Sequence, residues 1–114
     1  MNSTYLRFLA LVHALDGNSN EIASIDETAK QLLKVISVSH ANDKKLTITD
    51  AMALSSIASP ATIHRKLDDL REAGFIEQIF EGNNRRTKYL VPTSLANSYF
   101  SSVGEVMRQS LLAS

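Results

Sequence analysis

The chain has 114 residues, 44% of them apolar, a length that suits one domain spanning residues 1–114 rather than a catalytic unit beside a regulatory one. Twelve basic side chains balance 12 acidic ones, so net charge predicts no polyanionic partner and the placement of charge must decide. The absence of cysteine excludes disulfides, thiolate catalysis and thiolate metal sites.

From Tyr5 to Leu15 only Arg7 and His13 are not apolar. A helix so apolar on all sides needs cover from more than one direction. The run is far shorter than the roughly 20 residues of a membrane span, and Asp16-Gly17 follow where a signal peptide would need a small-residue cleavage site. The expected setting is the cytoplasm, without a membrane partner. Asp16-Gly17-Asn18-Ser19-Asn20 reads as a polar loop. A second helix is predicted near Asp26, capped by Ser24 or Asp26, with Ala29, Leu32, Leu33 and Ile36 on its buried face.

Leu46-Thr47-Ile48 suits a very short strand after the polar turn at residues 41–45. Thr49 and Asp50 open a short helix, Ala51 to Ser55. Ser59-Pro60 then opens a longer one, a capping hydroxyl followed by the proline favoured at the first helical position. Its stripe is Ile63, Leu67 and Leu70, and Gly74 is the glycine expected where the backbone turns left-handed past the end. Phe75 to Phe80 reads as a strand, Glu81-Gly82-Asn83-Asn84 as a hairpin tip, and Arg85 to Val91 as the return strand, ended by Pro92. A last helix runs from Thr93 or Ser94 to Leu112. Its stripe is Ala96, Phe100, Val103, Met107 and Leu111, widened by Leu95, Tyr99 and Val106.

The order helix, helix, short strand, helix, turn, helix, hairpin, helix is that of a winged helix-turn-helix. The fold class is mainly α with a small β-hairpin (α+β). Residues 1–40 are expected to hold N-terminal helices, 46–93 the winged core and 94–114 the C-terminal helix. The stretch Ser59-Pro60-Ala61-Thr62-Ile63-His64-Arg65-Lys66-Leu67 through Gly74-Phe75-Ile76 resembles the recognition helix and first wing strand of the multiple-antibiotic-resistance-regulator (MarR) family. Asn84-Arg85-Arg86 resembles that family's Asp-Arg-Arg wing, with Asn84 in place of the acid and Val91-Pro92-Thr93 in place of the usual approach to the last helix. The resemblance implies a homodimeric regulator that binds double-stranded DNA.

Charge placement points the same way. Opposite the buried stripe lie Ala61, Arg65, Asp68 and Glu72, flanked by Thr62 and His64, so the exposed N-terminal half is small, polar or basic. That suits a helix whose N-terminus meets a major groove, with Arg65 placed to read a guanine. The expected DNA-binding set is Ser59, Ala61, Thr62, His64, Arg65 and Lys66 on the helix, with Asn83, Asn84, Arg85, Arg86 and Lys88 on the wing. Lys44 and Lys45, just before the short strand, are weak candidates for holding phosphate, since two adjacent loop lysines more often serve solubility. The expected dimer interface joins Tyr5, Phe8, Leu9 and Val12 of the first helix to Tyr99, Phe100, Val103, Met107 and Leu111 of the last.

Catalytic chemistry finds no support. His13, His40 and His64 have no metal-ligand spacing, no serine sits in a Gly-x-Ser-x-Gly turn, and the glycines are too scattered for a phosphate loop. Asp26-Glu27 and Asp68-Asp69 are adjacent pairs, pointing about 100° apart on a helix. No enzyme, cofactor or metal site is expected, and no residue pattern identifies a small-molecule effector. A winged-helix module that binds protein, as in replication assemblies, is the alternative, because a fold alone does not choose between partners.

Overall fold

In the computed structural model, residues 2–112 are described; residue 1, and residues 113 and 114 of the expected C-terminal helix, lie outside them. The elements are α1 (Asn2–Gly17), α2 (Asn20–Ala23), α3 (Glu27–Ala41), α4 (Ile48–Met52), α5 (Pro60–Glu72), β1 (Ile76–Glu81), β2 (Asn84–Pro92) and α6 (Ser94–Leu112). The mainly helical fold with one antiparallel hairpin is the expected class.

Most helix starts are set by local capping. The Asp26 carboxylate accepts from the Ala29 amide at 2.8 Å, and the Ser59 hydroxyl from the Thr62 amide at 3.3 Å. Each satisfies an amide with no partner inside its helix. Ser19 does the same for Ile22, and this shortens the expected loop at residues 16–20. Asp16 and Gly17 complete α1, and Asn20 begins the one-turn α2 that carries Ile22 into the core. The short helix also starts earlier than Thr49: Thr47 and Asp50 form a reciprocal capping box, so α4 spans Ile48–Met52 and leaves Ser55 in a turn. The expected strand at 46–48 reduces to a single bridge, the Leu90 amide donating to the Leu46 carbonyl at 2.7 Å.

The end of α5 follows the glycine rule. Gly74 takes φ +85°, its amide donates to the Arg71 carbonyl and the Phe75 amide to the Leu70 carbonyl. This pattern caps the last carbonyls and brings Phe75 against Leu70, both buried. Phe75 therefore closes the helix rather than opening the strand, and β1 begins at Ile76. Pro92 still pairs with Ile76 at the far end of β2, where a missing amide is tolerated. Thr93 joins these pieces. Its hydroxyl donates to the Gly74 carbonyl at 2.6 Å and accepts from the Ala96 amide, fixing the wing and α6 to the end of α5.

One core holds α2 to α5, the hairpin base and the start of α6 together. Ile22, Leu32, Leu33, Ile36, Ile63, Leu67, Leu70, Phe75, Ile76, Leu90 and Ala96 are all buried within it. Helix α1 lies outside, with no buried residue at all, and packs chiefly along α6. The two form an arm on a molecule measuring 50 × 28 × 25 Å. Its radius of gyration, 15.4 Å, exceeds the roughly 13 Å of a compact chain of this length.

Candidate nucleic-acid interface

The first turn of α5 is organised around the Thr62 hydroxyl. It accepts from the Ser59 hydroxyl at 3.0 Å and from an Arg65 guanidinium nitrogen at 3.2 Å. Arg65 is thereby drawn toward the helix N-terminus, beside exposed Ala61 and His64. Two of the acids behind it are engaged. Asp68 lies 3.1 Å from Arg71 and 3.7 Å from His64, and Asp69 lies 3.8 Å from Lys66.

Lys66 does not join that face. Its ammonium stands 2.6 Å from the Asp26 carboxylate at the start of α3, and its side chain is mostly covered. Lys66 and the Ala29 amide, both bonded to Asp26, hold that carboxyl below the usual carboxylate range, and the same bond raises the Lys66 pKa. Lys66 fastens α5 to the start of α3 instead of reaching outward.

The wing presents the second basic group. Asn83, Asn84, Arg85, Arg86 and Lys88 are all exposed. Gly82 turns the tip at φ +58°, and the Asn84 side chain accepts from the Arg86 amide at 2.9 Å. Glu81, the nearest acid, pairs with Lys45 at 3.4 Å, so this loop lysine braces the wing against the segment before α4. Arg85 and Lys88 rest near the Phe80 ring, which is 36% exposed. The sequence pattern marks Phe80 only as an apolar strand residue; its contacts depend on the register across the hairpin.

The expected interface residues of the arm divide. Tyr5, Leu9, Met107 and Leu111 stand outward, with Leu6 and Leu112 beside them, the latter 72% exposed. Phe8, Val12, Tyr99, Phe100 and Val103 are half-buried and line an open cavity of about 730 Å³ between α1, α3 and α6. The Tyr99 hydroxyl donates to Asp16 at 2.7 Å, and Lys30 lies 3.6 Å from the same carboxylate. Burial and then Asp16 push the Tyr99 hydroxyl well above the usual tyrosine range. No group of three or more metal-ligating side chains that could hold an ion occurs among the described residues, and no helix there is long and apolar enough to cross a membrane.

Several solved structures share this architecture, among them the transcriptional regulator BldR from Sulfolobus Solfataricus, with a TM-score of 0.53 at 14% identity. RV1404 from Mycobacterium tuberculosis superposes with a TM-score of 0.63 at 18% identity, covering 96% of this chain and 71% of its own. MepR of S. aureus, in complex with DNA, gives 0.58 at 16% identity, covering 96% of this chain and 89% of its own. NadR in complex with 4-hydroxyphenylacetate gives 0.54 at 13% identity, covering 98% of this chain and 70% of its own. No protein-family model and no curated protein matches the sequence. The fold is therefore the winged helix-turn-helix that the MarR resemblance implies.

Proposed function

We propose that the chain is a transcription regulator of the cytoplasm that binds duplex DNA as a homodimer, without enzymatic activity. The N-terminal half of α5 lies in the major groove and the β1–β2 wing on the backbone or minor groove. One observation carries the reading: two exposed basic groups, at Arg65 and at Arg85–Lys88, project from one module in which Asp68, Asp69 and Glu81 are paired with Arg71, Lys66 and Lys45. The similarly folded MepR bound to DNA supports it. Helices α1 and α6 supply the dimer contact, since their outer faces leave Tyr5, Leu6, Leu9, Met107, Leu111 and Leu112 in solvent.

The cavity beside Tyr99 gives the same function a second element. Phe8, Val12 and Phe100 form an apolar lining, Lys34 stands in its wall beside Lys30, which Asp16 and Glu27 already pair, and the buried Ser37 hydroxyl has no partner among the described residues. An aromatic acid fits this chemistry, and 4-hydroxyphenylacetate, the ligand held by NadR, is the probe of choice. Its binding should raise the melting temperature of this chain, and no rise at millimolar probe removes the effector element.

Binding to random duplex across a salt series tests the main reading. Log affinity should fall linearly with log salt. Replacing Arg85, Arg86 and Lys88 by alanine should reduce the slope by about 0.9 for each phosphate that the wing no longer neutralises. Binding that is absent or insensitive to salt would leave the protein-interaction alternative standing.

A further inference from the structure

We propose that Phe80 is a positioning residue of the wing, whose ring sets where the Arg85 and Lys88 charges stand when the wing meets a duplex. The inference rests on the DNA-binding reading above and adds a residue that neither composition nor charge singles out.

The hairpin register leaves Arg85 without a ladder to aim it. Phe80 pairs with Lys88, but the next residue, Glu81, pairs with Asn84. The residues between, Arg85, Arg86 and Thr87, form an irregularity in β2, and such bulges bend a strand and redirect its side chains. Arginine and lysine are long and lose much rotamer freedom when fixed, so unaimed cations bind phosphate at an entropic disadvantage. Here both are aimed by the same group. The Arg85 guanidinium lies 5.5 Å and the Lys88 ammonium 5.7 Å from the Phe80 ring centroid. Both distances are within the range where the negative face of a ring attracts a cation.

Packing does not account for this aromatic. Phe80 is 36% exposed and belongs neither to the core nor to the side chains packed against it. It lines an open groove of about 510 Å³ between the wing and the start of α4, with Thr47, Thr49, Gln78 and Thr87. Asn84 orders the Arg86 amide through its own side chain, so the wing has two devices. Asn84 shapes the tip, and Phe80 holds the two cations behind it.

A double-mutant cycle on the full chain tests the assignment, using a labelled random duplex at several salt concentrations. Phe80→Leu keeps bulk and charge but removes the ring. It should weaken binding to every duplex about three- to tenfold, with an unchanged salt slope and melting temperature. Phe80→Tyr should restore wild-type affinity. In a chain already carrying Arg85→Ala and Lys88→Ala, Phe80→Leu should have no further effect. Wild-type affinity in Phe80→Leu overturns the proposal. So does an equal drop in the cation-free background, which would make the ring itself a DNA contact. If the double alanine chain binds as wild type with an unchanged salt slope, the wing reading fails first and Phe80 with it.

Discussion

The winged core and the α1–α6 arm are built from similar apolar residues, and differ in what covers them. In the core, Ile63, Leu67, Leu70 and Phe75 are at most 3% exposed, and local caps fix the ends of the surrounding helices. On α1, a sequence richer in apolar residues buries none of them, and Tyr5, Leu6 and Leu9 remain 44–59% exposed. The difference is one of completeness. The core closes on itself, whereas the arm offers two helices where burial of both outer faces needs more. The chain accordingly exposes 7182 Å², against about 6,200 Å² for a compact monomer of this mass. A second copy would supply the missing cover, and its two-fold axis would set two recognition helices on one duplex.

The sharpest way to break this contrast is to charge the arm. Leu9→Glu with Met107→Glu should leave a folded monomer by analytical ultracentrifugation. Its affinity for DNA should fall roughly a hundred- to ten-thousandfold, because two half-sites no longer act in one association. A variant that remains dimeric and binds as before would place the interface elsewhere.

In the core, removing apolar bulk should unfold the chain rather than dissociate it. Leu67→Ala should cost about 2–5 kcal/mol in denaturant titration, at every protein concentration. A cost below about 1 kcal/mol would mean that the core is less tightly closed than its burial indicates.

Arg65→Ala should leave both fold and dimer intact and weaken cognate binding by about 1–3 kcal/mol, with relaxed preference at one base pair. An equal weakening on cognate and random duplexes would make Arg65 a phosphate contact instead.

The smallest effect belongs to the bond between the two halves of the core. Asp26→Asn keeps a capping oxygen for Ala29 but removes the charge that holds Lys66, and should cost about 1 kcal/mol or less. The sign with pH follows from the lowered carboxyl. The Asp26 contribution is complete above its unfolded pKa near 3.8 and is lost as pH falls through the lower folded value. Acid unfolding of Asp26→Asn should therefore lack that part of the slope, and an unchanged profile would show the ion pair to be energetically silent.

Features whose cause is local were legible in the sequence. Ser59-Pro60 and Gly74 mark both ends of α5 within a few residues, and the glycine-and-asparagine tip marks the hairpin. Helix α2 was not, because a single turn has no apolar period and only Ser19 signals it. Lys66 sits one position from Arg65, yet faces Asp26, a partner that only the packing of α5 on α3 reveals. The arm was legible as excess apolar surface, but not the inward turn of Tyr99 and Phe100, which depends on Asp16 and the α3 wall.

Hydroxyl-radical footprinting on a duplex selected from a random pool tests the central claim most directly. A dimeric DNA-binding protein should give two protected segments related by a two-fold axis, centred about 34–36 Å apart, with flanking protection that disappears when Arg85, Arg86 and Lys88 are replaced by alanine. A single protected segment, or no duplex retained by the selection at low salt, would contradict a dimeric DNA-binding protein.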